Sequence, residues 1–117
     1  MADLICPGSI VAVESGDYTE DYYLLRCSDR PRELESEETI GGLVQPMGTL
    51  VVDGEWFDIV KSQPGRSYRL LNMKASVCLN SIRHICPENL TRVGGRSGQY
   101  LKVEESLHED IIASLLG

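Results

Sequence analysis

The sequence predicts a mainly β domain, built as a small antiparallel barrel with a C-terminal α-helix. Short β-branched and aromatic runs alternate with clusters of Gly, Pro, Asp and Ser, which is typical of a barrel of short strands. Near the C-terminus the apolar residues repeat every four positions, which indicates a helix. A chain of 117 residues is long enough for one domain. We expect the barrel over residues 1–90, a Gly-rich linker over 91–99 and the helix over 100–117.

The first two strands are predicted at "GSIVAV" (Gly8–Val13) and "YYLLRC" (Tyr22–Cys27). The turn between them is rich in Gly and Asp. Side chains alternate between the two faces of a strand. We therefore expect Tyr23 on the more apolar, buried face of the second strand and Tyr22 on the more exposed face.

An acidic segment, residues 28–47, follows the second strand. Its first 15 residues, "SDRPRELESEETIGG", contain five acidic side chains and end in two glycines. This composition predicts a solvated loop or an edge ribbon inserted into the barrel rather than part of the core.

The clearest local signal is Asp53-Gly54 between two β-rich runs, since this dipeptide favours the type I′ turn of a two-residue hairpin. Such a turn pairs Val51 with Trp56 and places Trp56 on the same face as Asp58. The opposite, core-facing side then consists of Leu50, Val52, Phe57 and Ile59.

The second half of the barrel is predicted from shorter runs. Residues 61–67 are expected to form a loop that turns at Pro64-Gly65, and 68–71 a strand. The sequence "NMK" (72–74) is expected to turn the chain into a returning strand at 75–80. The last strand is predicted at 81–85.

The C-terminal segment has an apolar stripe at helical spacing, formed by Val103, Leu107, Ile111 and Leu115. We predict an amphipathic helix over 103–116 that docks on the barrel. The alternative is a helix whose apolar side chains bind a partner or a second copy of the chain, through Leu107, Ile111 and Leu115.

Charge is distributed unevenly along a chain with a net charge of −7. Residues 1–60 hold 13 acidic and 3 basic side chains, whereas residues 61–102 hold 1 acidic and 8 basic side chains. The simplest interpretation is that the two halves of one domain face each other and partly neutralise. The alternative is that the basic segment attracts the phosphates of a nucleic acid. That surface would consist of Arg66, Arg69, Lys74 and Arg83.

The sequence carries no catalytic or cofactor signature. It has no phosphate-binding loop, no dinucleotide fingerprint and no zinc-protease motif, and neither of its two histidines lies in a nucleophile motif. The four cysteines form no CxxC pair, so we expect free thiols. A zinc site that uses Cys78, His84 and Cys86 is a remote alternative because their spacing matches no standard finger. We expect no enzyme activity, no cofactor and no metal.

Targeting features are also lacking in the given sequence. No apolar run approaches the roughly 20 residues that cross a bilayer. The N-terminal "MADLICPGSIVAV" has neither a basic region nor a long apolar stretch, so it is not typical of a signal peptide. We expect an intracellular protein, nuclear or cytoplasmic, without membrane contact.

The pattern of residues 8–86 resembles the SH3-like barrels of the Tudor, chromo-barrel and bromo-adjacent homology (BAH) type. A strand of the form "GSIVAV" leads into the aromatic-rich "DYYLLRC", and "YRLL…SVCLNSIRHI" is similar to their last hairpin, short 3₁₀ turn and final strand. The 28–47 segment is long for a Tudor loop and closer to the insertions of BAH domains. The Gly-rich linker and the terminal helix are additions to a minimal barrel.

The resemblance implies a chromatin-type module that binds a basic or methylated peptide tail. In that family an aromatic cage holds a methylated lysine or arginine, with an acidic residue on its rim, and cation–π attraction supplies the affinity. The matching candidates are Tyr18, Tyr22 and Trp56, with Asp17, Asp21 and Asp58 as the acids. Two alternatives remain open: an ordinary protein-interaction surface, and a structural or oligomerisation domain of a larger assembly.

Overall fold

A computed structural model confirms the predicted fold class: a mainly β domain with one C-terminal helix. The structure describes residues 2–15, 21–61, 66–87 and 100–116. The elements of these residues are β1 (Ile10–Glu14), β2 (Tyr22–Cys27), β3 (Arg32–Glu33), β4 (Glu38–Ile40), β5 (Leu43–Gln45), β6 (Leu50–Lys61), β7 (Arg66–Cys78), β8 (Ile82–Ile85), β9 (Tyr100–Val103) and α1 (Glu105–Leu116), with 3₁₀ turns at Ala2–Leu4 and Leu79–Ser81.

The main sheet is antiparallel and curls into a half-barrel. Its strand order is β8-β1-β2-β6-β7-β9, and β3 pairs with the same β6 that β2 joins. After β7 the 3₁₀ turn at Leu79–Ser81 redirects the chain, so that β8 returns to pair with β1. The predicted second strand, the 3₁₀ turn and the last strand are therefore confirmed.

The hairpin predicted at Asp53-Gly54 is wrong, because β6 runs through both residues without turning. Gly54 is buried opposite Cys27 of β2, where the absence of a side chain lets the two strands approach. The predicted core face is correct in part: Val52 and Phe57 are buried, although in different clusters of the core, whereas Leu50 is not. Leu50 is 41% exposed, whereas Val51 is fully buried.

The turn predicted at "NMK" (72–74) is also wrong. These residues lie within β7, at a point where its register with β6 shifts between Glu55 and Phe57. The shift is a bulge, which leaves the extra residues exposed but keeps the strand continuous. β6 ends at Lys61 and its antiparallel partner β7 begins at Arg66, so the predicted loop over 61–67 is shorter, and its Pro64-Gly65 turn lies outside the described residues.

The acidic insertion is more structured than expected. β4 and β5 form a separate two-stranded ribbon, joined by Gly41 and Gly42, whose φ angles of 60° and 85° suit the type I′ turn of a two-residue hairpin. Leu34 and Ile40 are buried and pack on Val51 of β6. The segment is an edge ribbon, which was one of the two structures expected, but two of its apolar side chains belong to the core.

Arg32 links the acidic insertion to the sheet. Its Nε donates to Asp53 Oδ2 (2.7 Å) and its Nη2 to Asp53 Oδ1 (3.2 Å), while Nη1 lies 3.5 Å from Glu38 of the ribbon. Ser76 of β7 also donates a hydrogen bond to Asp53. The hydrogen bond from Arg32 is the main reason that the pKa of Asp53 is lowered. Asp53 thus joins three elements instead of forming a turn.

We expect Asp53→Asn to lower the free energy of unfolding by about 1 kcal/mol or less at pH 7, because the pair is partly exposed. The pKa of Asp53 is lower in the folded than in the unfolded protein, so its carboxylate stabilises the fold above the unfolded value of about 3.9. That contribution is lost as the pH falls through the folded-state pKa. Urea denaturation over a pH series should show the two proteins converging in acid. Glu37→Gln, an exposed control, should show no such convergence, and a pH-independent deficit for Asp53→Asn would contradict the prediction.

The main sheet is buried on both faces. One face packs against α1 and includes Tyr22, Leu24, Phe57 and Tyr68, and the other includes Val11, Leu25, Val52 and Val77. The expected burial of the two tyrosines is consequently reversed. Tyr22 is 2% exposed beneath the helix, whereas Tyr23 is only half-buried.

The C-terminal helix is confirmed but begins later than predicted. It starts at Glu105, and residues 100–103 form β9, which pairs with β7. The proposed linker, 91–99, lies outside the described residues. Of the side chains considered for partner binding, Leu107 and Ile111 are buried against the sheet and Leu115 packs at the edge of the same core. The apolar face of α1 is therefore used within the domain.

Candidate functional site

β2 and β6 pair over a short distance within the described residues. The paired residues run from Cys27↔Gly54 to Leu25↔Trp56. Where this pairing ends, residues 22–24 of β2 and 56–59 of β6 line a cavity of about 360 Å³. Three residues of β7 complete the wall. The lining consists of Tyr22, Tyr23, Leu24, Trp56, Phe57, Asp58, Ile59, Tyr68, Leu71 and Met73.

The lining is unusually aromatic for this chain, because it uses five of its seven aromatic residues. Tyr23 and Trp56 are half-buried and meet edge-to-face, with ring centroids 5.9 Å apart and planes at 67°. In this arrangement the edge of one ring points at the face of the other, which is a favourable geometry for two aromatic rings. They form the accessible walls of the cavity.

The floor of the cavity is rigidly built. Tyr22, Phe57 and Tyr68 are each at most 5% exposed and belong to the core beneath α1. The hydroxyl of Tyr22 lies 2.8 Å from His108 Nδ1 of the helix, and the two rings are tilted at 41°. The helix therefore fixes the position of one aromatic ring of the site.

The rim supplies one negative charge. Asp58 is exposed, and among the described residues it takes part in no ion pair. Its register partner across the β6–β7 pairing is Arg69. Met73 is 57% exposed and adds a polarizable side chain to the lining. Aromatic walls with a single rim carboxylate are suited to an organic cation.

The structure brings together three of the predicted cage residues. Tyr22, Trp56 and Asp58 line the same cavity, with Tyr22 as floor rather than as an exposed wall. Asp21 is exposed next to Tyr22 but does not line the cavity. Asp17 and Tyr18 lie outside the described residues.

Sequence reasoning missed Tyr23 as a wall of the site. Alternation along β2 assigned it to the core because that face looked more apolar, yet both faces of β2 are buried. Only the pairing of β2 with β6, which places Leu25 opposite Trp56, brings the Tyr23 ring beside the Trp56 ring. Local sequence contains no signal for that pairing.

Of the basic residues of the nucleic-acid alternative, Arg83 is in an ion pair, whereas Arg69 and Lys74 lie opposite acidic residues without an ion pair among the described residues. In the β6–β7 register Arg69 is opposite Asp58 and Lys74 is opposite Glu55. Arg83 of β8 donates to Glu14 Oε2 from Nε (3.0 Å) and from Nη2 (2.7 Å). The side chain of Arg66 lies outside the described part of the chain. Acidic residues of the first half of the sequence, Glu14, Glu55 and Asp58, therefore lie beside basic residues of the second half in the sheet.

The cysteines and histidines are used within the fold. Burial raises the pKa of Cys86 to about 12, which keeps its thiol protonated and poorly nucleophilic at neutral pH. His84 Nδ1 lies 2.9 Å from Ser114 Oγ, which itself donates to the carbonyl of Asp110. Within the described ranges, no three His, Cys, Asp or Glu side chains cluster as a metal site would require.

Comparison of the chain with models of known protein families, with curated proteins and with solved structures finds no match. The structure itself supports the coarse part of the resemblance, a curled antiparallel half-barrel. In the part of the chain that the structure describes, no helix has the length and apolar character to cross a membrane.

Proposed function

We propose that this domain is a non-catalytic protein-interaction module that binds a methylated or other cationic side chain of a basic peptide in the cavity between β2 and β6. The observation that carries the proposal is the cavity of about 360 Å³ with five aromatic lining residues and exposed Asp58 at its rim. A quaternary or dimethylated ammonium group sheds water easily and gains about 0.5–2 kcal/mol over an aromatic face. Asp58 adds long-range attraction for a basic partner.

The strand arrangement adds support from analogy. The order β1-β2-β6-β7, a 3₁₀ turn and a last strand that returns to β1 is compatible with the SH3-like barrels of Tudor and BAH domains. Modules of that type read methylated tails on chromatin. Fold analogy favours such a function without specifying it, so the proposal depends on the cavity.

The nucleic-acid alternative receives less support from the geometry. A phosphate-binding surface gains its affinity when its Lys and Arg side chains neutralise phosphates and displace the counterions condensed on the nucleic acid. Here Arg83 is paired with Glu14, and Arg69 and Lys74 lie next to Asp58 and Glu55, whose negative charges repel phosphate. The geometry also gives little support to oligomerisation through α1, because Leu107 and Ile111 are already buried within the domain.

We expect Trp56→Ala to weaken binding of a basic peptide with one trimethyl-lysine by about 30-fold, the equivalent of about 2 kcal/mol of cation–π attraction. Isothermal titration calorimetry on the wild type and the variant measures the change. In the wild type, Trp56 is the only tryptophan, so its fluorescence should also report occupancy of the cavity directly.

Two controls separate loss of the site from loss of the fold. Val60→Ala changes a 58% exposed side chain of the same strand outside the cavity lining and should bind normally. Asp58→Asn removes the rim charge without touching the core and should weaken binding several-fold, mainly at low salt. Equal affinity for a peptide in which a neutral carbon replaces the trimethylated nitrogen would refute cation recognition.

A further inference from the structure

A second, larger concavity lies against the same pair of rings. It has a volume of about 770 Å³ and extends between the β4–β5 ribbon and the main sheet. Tyr23 and Trp56 line it as well as the aromatic cavity, so this ring pair is a wall shared by both. We call the larger concavity the ribbon groove. Its other lining residues are Val13, Glu14, Ser15, Ile40, Gly41, Leu43, Gln45, Ser76, Val77, Cys78, Asn80 and Ser81.

The ribbon side of the groove is apolar and accessible. Leu43 is 68% exposed, lines the groove and alternates along β5 with Val44, which is 62% exposed and does not line it. Ile40 at the other end of the turn is 7% exposed and fixes the ribbon to the core. The ribbon side of the groove is thus held in place by buried Ile40 and presents one exposed side chain, Leu43, to a ligand.

Among the described residues, Glu14 is the only charged one that lines the groove, and it is paired with Arg83. The chain that leads into the ribbon carries exposed Glu33, Glu35 and Glu37, and Glu38 opens β4. Arg32 in this stretch is already paired with Asp53 and Glu38. These acids do not line the groove, but they give the segment that carries the ribbon an excess of negative charge, and long-range attraction to it favours a basic ligand with an apolar side chain for Leu43.

We propose that the ribbon groove binds the peptide segment next to the caged cation, so that one basic peptide occupies both concavities and crosses the Tyr23–Trp56 wall. This inference rests on the proposed function, since continuity with the cation cavity is what selects a peptide as the occupant. The segment lies extended between ribbon and sheet, with an apolar side chain against Leu43. Recognition is then bipartite: the cavity reads the cation and the groove reads its neighbours.

Two probes test the inference. One is the amide of N-acetyl trimethyl-lysine, which fills the cavity alone. The other is a basic peptide of about ten residues, about 33 Å when extended, with a central trimethyl-lysine and flanking leucines. We expect the wild type to bind the peptide at least about tenfold more tightly than the amide.

The matched variants are Leu43→Ser and Val44→Ser, two exposed changes on the same strand of the ribbon. Leu43→Ser should weaken peptide binding by about tenfold and leave amide binding unchanged, because it removes an apolar contact from the groove only. Val44→Ser should affect neither, since its side chain does not line the groove. Trp56→Ala should weaken both probes.

The outcomes distinguish the two proposals. If both probes bind and Leu43→Ser behaves like Val44→Ser, the groove inference is overturned while the cation site stands. If the peptide binds and depends on Leu43 but the amide does not bind, the groove stands and the cation cavity fails. Binding of neither probe overturns both, and a concentration-dependent dimer abolished by Leu43→Ser would assign the groove to a second copy of the chain instead.

Discussion

Replacing Gly54 by alanine is expected to destabilise the domain by about 3 kcal/mol or more, the upper range for overpacking a well-packed site. An added Cβ would overlap the carbonyl oxygen of Arg26 and approach Leu25 Cγ to 2.9 Å. The first of these obstacles is backbone, so no rotamer change relieves it. Because Gly54 lies where β2 pairs with β6, the strands would separate next to the aromatic cavity. Urea denaturation followed by circular dichroism measures the loss.

Gly42→Ala is the matched control for this prediction. Gly42 has a φ of 85°, and a Cβ added there would meet nothing within 4 Å. Alanine at this position therefore costs only the strain of its backbone conformation, about 1–2 kcal/mol. A Gly54→Ala variant that is no less stable than Gly42→Ala would show that the strand spacing at Gly54 adapts at little cost.

Shortening Ile111 to alanine is expected to cost about 3 kcal/mol, within the range for large-to-small changes at fully buried sites. Ile111 is 0% exposed in the core between α1 and the sheet, where Tyr22, Phe57 and Tyr68 also pack. The loss includes both the transfer of the removed methyl groups and the cavity that remains. Since these rings form the floor of the aromatic cavity, affinity for the trimethyl-lysine amide should fall with stability.

Leu116→Ala provides the control on the same helix, because Leu116 is 86% exposed and should change stability by less than about 0.5 kcal/mol. Thermal unfolding of both variants and the wild type gives the comparison. If Ile111→Ala proved as stable as Leu116→Ala, α1 would be an appendage rather than part of the core. Size-exclusion chromatography of the same proteins would then be the direct measure of helix-mediated assembly.

Elements whose identity depends on local pattern were predictable from the sequence. The β-rich run of β2 lies where it was expected, and the four-residue repeat of α1 begins two residues after its expected start at 103. In each case the local preference and the tertiary environment agree. The helix start moved because residues 100–103 pair with β7, a partner some thirty positions earlier in the chain.

The two incorrect turns have a common physical origin. Asp53-Gly54 has the composition of a type I′ turn, but the carboxylate binds Arg32 and the glycine admits β2, so both residues serve long-range contacts. The "NMK" residues are exposed at a bulge, which interrupts the register with β6 without ending the strand. Turn propensity reports what a dipeptide permits, whereas strand pairing decides which conformation is used.

The candidate site was predictable in part. Tyr22, Trp56 and Asp58 were candidates because of the resemblance to barrels with an aromatic cage, and the three line one cavity. The sequence could not show which tyrosine is buried and which is accessible, because this depends on the face of the sheet that α1 covers. The helix buries Tyr22 and leaves Tyr23 as the accessible partner of Trp56.

Burial of β2 on both faces reduces the usual penalty against a slipped strand, because its apolar side chains would stay buried on either face. In most sheets a shift by one residue turns the apolar side chains towards water, and this fixes the alignment. In β2 such a slip would exchange Leu24 for Leu25, which are equally apolar and equally buried, but it would also move Arg26 into the buried position of a neighbour, Leu25 or Cys27. The alignment with β6 therefore depends also on the space at Gly54 and on the charges of Arg26 and Glu55, 3.7 Å apart. This strand is positioned by a missing side chain and an ion pair as much as by hydrophobicity.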